Sequence, residues 1–450
     1  MQTLSIDTDR DETPAGPPPR RFPGSAVAWL VIVLAVVAVQ GRTSLEREAP
    51  RQGFERDMAL GLTGRYVVGM KSMLGEASAA LAIPQLEKAL DGSRHPQKGL
   101  FLAPVLVELG ARERALAELE RLAAEPGGGL SSRDAALLLQ VYRQGSRSLG
   151  ADGRRAMEKY GWTGALALSH DRGPGDSDRQ AVLCSAKRTF VGAAAFITGA
   201  VAALVTGAIL FIFALLLRRR GGLRARFSPP ESPGEPLIEA FAIYLAGMIV
   251  LPALLGRVLP ALASASVLLA LPAVVLALVW PSLRGAAGTR AALGWHRGAG
   301  IWREMGAGVL GYLAGLPLLA LALVPVMVLS RFSGRVPAHP IVNEISGDPA
   351  VLAFIALLGC VWAPVVEETF FRGMLFGYLR RRLHWAASGV VTGLLFALIH
   401  PQGWMAVPVL GMIGFTLCAI RQWRGSIIAP MTAHALNNGV VLFFAFLMLA

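Results

Sequence analysis

The sequence predicts an all-α protein: a polytopic transmembrane helical bundle of about eight core spans, with an N-terminal anchor and an added helical extracytoplasmic domain. Three observations carry that expectation. The 450 residues are 54% hydrophobic and only 16% charged, with a mean hydropathy of +0.52, the balance of a chain held in lipid rather than of a soluble enzyme. From Phe190 onward the apolar residues come in runs of membrane-spanning length. The basic residues behind the net charge of +13 cluster at the ends of those runs. That placement reads as membrane topology and argues against a nucleic-acid surface. The cysteines, Cys184, Cys360 and Cys418, are scattered, with neither metal-ligand spacing nor a disulfide framework.

Residues 1–25 are polar and rich in proline (Pro14, Pro17, Pro18, Pro19, Pro23), which predicts a disordered cytoplasmic tail. Residues 26–39 are apolar but short, with Arg20 and Arg21 as a basic flank. They read as a signal anchor or a signal peptide, and the want of a small-x-small cleavage site favours the uncleaved anchor. Residues 40–189 are charged and helical in pattern, and form the expected extracytoplasmic domain. Within them Leu102–Ala124 resembles one tetratricopeptide-type helical hairpin; an ordinary amphipathic helix pair fits equally well. Pro126-Gly127-Gly128-Gly129 breaks that pattern, and 171–180 reads as a polar loop.

Membrane spans are expected near 190–217, 237–256, 262–280, 306–329, 350–376, 386–400, 404–420 and 427–449. Residues 190–285 are expected to supply accessory helices ahead of a transmembrane domain over 286–450. Basic clusters follow the first span (Arg218, Arg219, Arg220, Arg224, Arg226), separate the third and fourth (Arg284, Arg290, Arg297, Arg303), and follow the fifth (Arg380, Arg381, Arg382) and seventh (Arg421, Arg424). Counting alternate sides, all of them fall on one face. This predicts cytoplasmic loops there and residues 40–189 on the other side. The expected location is a multi-pass integral protein of a bacterial inner membrane.

The most informative residues are Glu367 and Glu368, the only acidic side chains between Val351 and Ala450. Carboxylates at membrane depth cost roughly 2.5–3.5 kcal/mol each on insertion scales, so they mark function. At ~1.5 Å per helical residue, Glu368 lies about 18 Å from Arg380, His400 about 22 Å from Trp385 and His434 about 15 Å from Arg424. Three helices thus bring polar residues to one level near mid-bilayer. Glu368 and Arg372, four apart, share a helix face and can pair. Glu367 lies about 100° around the helix and is left to face a polar cavity as a candidate general base. His400 precedes Pro401 and so sits at a helix end. His434 and Asn438, four apart, can together donate to an oxyanion. A structural Glu–Arg pair in a transporter is the bland alternative; it predicts an inverted repeat, and none is visible.

The residues 367–373, Glu-Glu-Thr-Phe-Phe-Arg-Gly, match the Glu-Glu-x-x-x-Arg motif of the CAAX protease and bacteriocin-processing (CPBP) family. Phe396–His400 matches its Phe-x-x-x-His motif and His434–Asn438 its His-x-x-x-Asn motif. Leu293-Gly294-Trp295 resembles a family turn ahead of the core. The resemblance covers roughly 290–445. It implies an intramembrane endopeptidase in which Glu367 and His400 activate water, His434 and Asn438 stabilise the oxyanion, and Glu368 and Arg372 organise the site. It also implies a protein or peptide substrate, of which a lipidated one is the family precedent. The alternative is a non-catalytic immunity or scaffold protein that keeps the fold. Two histidines and a glutamate can hold zinc. The absence of His-Glu-x-x-His, and of an acidic residue free to orient a metal-bound histidine once Glu368 serves Arg372, favours catalysis without a metal or other cofactor, with zinc the alternative.

Overall fold

The computed structural model describes residues 24–45, 52–91, 96–229, 234–258, 270–286, 289–333 and 349–449. The described residues are helical, with no strand. The expected tail, 1–25, lies almost wholly outside them, as does most of the first half of the third expected span.

The described residues open with α1 (Gly24–Leu45), then a run of helices: α2 (Gln52–Leu74), α3 (Glu76–Asp91), α4 (Pro96–Leu109), α5 (Arg112–Ala123), α6 (Gly129–Gln144), α7 (Ala151–Glu158) and α8 (Gly161–Leu168). These pack on one another around an apolar core that includes Leu102, Leu106, Leu119, Leu138 and Met157. The hairpin expected over Leu102–Ala124 is α4 and α5, turned at Gly110, whose φ of +104° suits glycine. Arg112 is held over the same turn region by Tyr142 O and by His170.

The boundary placed at residue 189 is not a break. Helix α9 runs unbroken over Ser177–Arg219, 43 residues, about 64 Å at 1.5 Å per residue. Asp176 caps it, accepting from the N–H groups of Asp178 and Arg179 at 3.0 Å. This is why residues 177–180 of the expected polar loop are the first turn of a helix, while 171–176 stay in turns as expected. The first third of α9 buries Val182 and Ala186 in the core of the helical domain. The rest is a membrane-length apolar helix against the bundle.

The bundle continues with α10 (Glu235–Val258), α11 (Leu271–Leu283), the short α12 (Thr289–Leu293), α13 (Ile301–Ser333), α14 (349–380), α15 (Trp385–Leu398), α16 (Val407–Arg424) and α17 (Ile428–Leu449). Among the described residues six helices are long and apolar enough to cross a membrane: those over Gly24–Thr43, Ser177–Arg219, Glu235–Leu255, Ile301–Phe332, Ala350–Arg380 and Trp404–Arg424; three shorter apolar helices accompany them. The protein is a multi-pass integral membrane protein. The sixth expected span is one of the short ones, α15, at 14 residues, well below the ~20 that a full crossing takes. His400 follows two residues past its end.

Close packing sets the site. Gly393 of α15 faces Gly411 O and Gly414 of α16, with no room for a Cβ. Gly207 of α9 lies against Leu313 of α13 in the same way. Phe196 of α9 meets Phe444 of α17 at 4.9 Å. Helix α1 buries Ala28, Ile32 and Ala35 against α10, and Gln40 Nε2 donates to Leu398 O at 2.6 Å, so the first helix braces the end of α15.

Candidate active site

Helix α14 is not a plain α-helix. Its α-helical pieces Pro349–Leu357, Ala363–Glu368 and Phe376–Arg380 are separated by two π-helical turns, Leu358–Trp362 and Thr369–Leu375. π-turns cluster at functional sites because the extra residue re-aims side chains and frees carbonyls. Here they flank Glu367 and Glu368 on both sides.

Arg372 and Glu368 are fully buried and paired, Nη1 donating to Oε1 at 2.8 Å across one helical turn. Arg372 Nη2 donates to Gly414 O at 3.1 Å, and its guanidinium lies 4.8 Å from the centre of the Phe396 ring. The same Oε1 of Glu368 accepts from His434 Nδ1 at 2.8 Å. Glu368 therefore serves two donors from two helices. This corrects the expectation that its pairing with Arg372 leaves no carboxylate to orient a histidine.

Glu367 keeps a fifth of its side chain exposed. Its Oε2 is buried with no direct hydrogen-bond partner and lies 3.9 Å from His400 Nε2 and 3.9 Å from His434 Nε2. His400 is steered from its other nitrogen: Nδ1 donates to Phe396 O at 2.5 Å, and its ring lies 4.3 Å from that of Phe396. A carbonyl can only accept, so His400 carries hydrogen on Nδ1. Both histidines thus turn their Nε2 atoms toward one carboxylate oxygen.

The structure brings Glu367, Glu368, Arg372, His400 and His434 together. Asn438 is placed differently. Its Nδ2 donates to Gly359 O in the first π-turn at 2.8 Å, and its Oδ1 accepts from Asn437 at 3.3 Å. One of its two amide hydrogens ties α17 to α14.

As for zinc, the described residues hold no group of three His, Cys, Asp or Glu side chains arranged to bind a metal. Donors around a tetrahedral ion with bonds of ~2.0–2.1 Å stand about 3.4 Å apart, and the 3.9 Å gaps here are wider.

Several contributors escaped the sequence reading. Arg421 counted among the basic residues at a span end, yet it is 1% exposed. It donates to Arg372 O and Ala292 O at 3.4 Å and lies 4.6 Å from the Phe227 ring. Arg424 likewise pairs with the buried Glu304 at 2.7 Å. Tyr244 of α10 stacks flat on Phe370 at 4.0 Å. Phe396 touches Arg372, His400 and His434 at once; its one signal was its place in the Phe-x-x-x-His motif.

Residues 349–440 match the family model of the type II CAAX prenyl endopeptidase Rce1-like proteins. This stretch of the chain is similar to an Rce1-like domain. The domain spans the whole cluster from the first π-turn to Asn438. Two curated proteins are similar to it. The membrane-embedded CAAX protease MroQ of Staphylococcus aureus (strain USA300) is 26% identical over 152 residues, 30% of this chain and 60% of that protein. An uncharacterized 24.3 kDa protein of Escherichia coli is 28% identical over 129 residues, 27% of this chain and 59% of that protein. The chain thus spans about three fifths of the curated relatives it matches. No solved structure matches. Helices α1–α13 lie outside the Rce1-like match.

Proposed function

We propose that the chain is an intramembrane endopeptidase in which Glu367 activates a water for attack on a peptide bond. The Rce1-like domain supports peptidase chemistry at the level of the family. The observation that carries the finer reading is the position of Glu367 Oε2, 3.9 Å from each of two histidine nitrogens and without a direct partner. That gap is too long for a hydrogen bond but lets one water lie about 2.8 Å from each pair of atoms. Glu367 takes a proton from this water as its oxygen bonds to the substrate carbonyl carbon. His400, its Nδ1 fixed on Phe396 O, orients the water through Nε2. His434 and the second amide hydrogen of Asn438 are the donors nearest the oxyanion that forms. Glu368 and Arg372 hold the frame.

The substrate class that fits is a protein or peptide segment presented at the membrane, with a lipid-modified terminus the first candidate. The test is mass spectrometry of membrane-protein termini from cells with the chain, without it, and with Glu367→Gln. Termini that appear only with the parent chain identify substrates. An identical set of termini in all three would favour a non-catalytic scaffold or immunity role.

A further inference from the structure

The end of α15 is closed by a residue from the far end of the chain. Pro401 follows His400 and has no N–H, so the helix stops there. Its last carbonyls then need other donors. Leu395 O accepts from Ile399 N–H at 3.1 Å, and Ala397 O from His400 N–H at 3.2 Å. Phe396 O accepts from His400 Nδ1 at 2.5 Å. These three bonds are local, and His400 itself makes two of them. The next carbonyl, Leu398 O, accepts from Gln40 Nε2 of α1 at 2.6 Å, across 358 residues of sequence.

Gln40 follows the apolar run 26–39 and is the first amide side chain of α1. The packing beside it makes the bond part of a shared core. Ala28, Ile32 and Ala35 of α1 are buried in the cluster that holds Phe396, and Leu395 and Ile399 pack against the same cluster. Phe396 in turn meets the rings of His400 and His434. The apolar face of α1 thus supports the last turn of α15, and the Gln40 amide fixes its end.

His400 lies two residues beyond Leu398. A displacement of the Leu398 peptide moves the turn whose carbonyl holds His400 Nδ1. The ring's Nε2 then moves relative to Glu367 Oε2, which stands at 3.9 Å. A carbonyl in lipid finds no ready water to replace a lost donor. Without the Gln40 amide the turn is therefore driven to rearrange.

We propose that Gln40 is a positioning residue that acts through His400, holding Leu398 O so that the end of α15 presents Nε2 to Glu367. The inference rests on the peptidase reading of the site. It extends the working site to the N-terminal helix, outside the Rce1-like stretch.

The experiment is NMR of the full chain in detergent with 15N-labelled histidine, joined to turnover of a cleavable peptide. The His400 and His434 ring signals are those missing in His400→Gln and His434→Gln. Gln40→Met keeps the length of the side chain and removes the donor. In it the His400 ring signals are expected to shift while those of His434 stay. Per folded molecule kcat is expected to fall by about 10- to 100-fold with KM unchanged, since a 1 Å misplacement can cost about 10²-fold. Gln40→Asn, whose amide falls one methylene short, is expected to give a smaller shift of the same sense. Unmoved His400 signals in folded Gln40→Met overturn the proposal. So do His434 signals that move as far as those of His400, which would make α1 a general brace. A kcat equal to the parent's overturns it as well. If Gln40→Met fails to fold, unmoved His400 signals in Gln40→Asn overturn it. The histidine signals need no cleavage, so failure of this inference and failure of the peptidase reading are told apart.

Discussion

Gly294 sits directly over the guanidinium of Arg421. A Cβ at Gly294 would lie 2.5 Å from the guanidinium carbon, and the residue's φ is +87°. The Gly294 carbonyl also accepts from Ile427 N–H at 3.1 Å. The turn after α12 thus closes over the end of α16, and Arg421 in turn reaches the backbone of Arg372.

Gly294→Ala is expected to destabilise the chain by about 1–3 kcal/mol, since a positive φ is strained for alanine and the added methyl meets a buried cation. Thermal unfolding in detergent checks this. An unchanged melting temperature would show that the turn relaxes freely and that the Arg421 contact does not matter.

Asn438→Ala is expected to cost stability as well as cleavage. It removes the donor to Gly359 O, a partly buried carbonyl, and leaving such a group unsatisfied costs up to about 1–3 kcal/mol. The measurement is unfolding of Asn438→Ala in a Glu367→Gln background, where catalysis plays no part. Equal stability of the two proteins would reduce Asn438 to a group that acts on substrate alone.

Much of the site was legible because polar residues stand out in apolar runs. Glu367, Glu368, Arg372, His400 and His434 were each visible against their neighbours, and the structure brings all of them together. What the sequence hid was azimuth between helices. That Glu368 is shared by Arg372 and His434 depends on how α17 is rotated against α14, and no single-helix spacing contains that angle. The π-turns were hidden for the same reason: residues 358–362 and 369–375 read as ordinary helix, and their widening follows from tertiary contacts such as Asn438 on Gly359. Arg421 was misread because an arginine near a span end looks like a topology marker until a glycine turn and a phenylalanine are seen to bury it. The start of α9 was obscured because residues 171–176 do form a turn, as expected, while Asp176 caps a helix that already begins at Ser177.

In the helical domain, His170 has its pKa lowered, first by burial and then by the charge of Arg112. A base whose folded pKa is depressed binds fewer protons than the unfolded chain below the usual histidine value of about 6.5, so stability is full above that pH and falls as pH drops through it. Melting of the parent is expected to decline between about pH 7 and pH 5, and His170→Gln is expected to flatten that decline. A decline of equal slope in both would assign it to other groups.

The one-sided arginine clusters lead to the prediction that the helical domain lies across the membrane from the arginine-rich loops. A cysteine at the exposed Leu130, in a chain with Cys184 replaced, is expected to react with a membrane-impermeant thiol reagent in intact cells whose outer barrier is permeabilised. Reaction only after the inner membrane is broken would invert the topology.

The central claim is that Glu367 activates the water. The most direct measurement is turnover by the purified chain of a prenylated CAAX-type peptide and of a terminal segment identified by mass spectrometry, comparing parent with Glu367→Gln at matched melting temperature. General-base catalysis contributes about 10²–10⁴-fold, so turnover is expected to fall by at least about 100-fold while the folded fraction stays unchanged. Glu367→Gln turning over within about threefold of the parent, against that general-base range, would contradict the account.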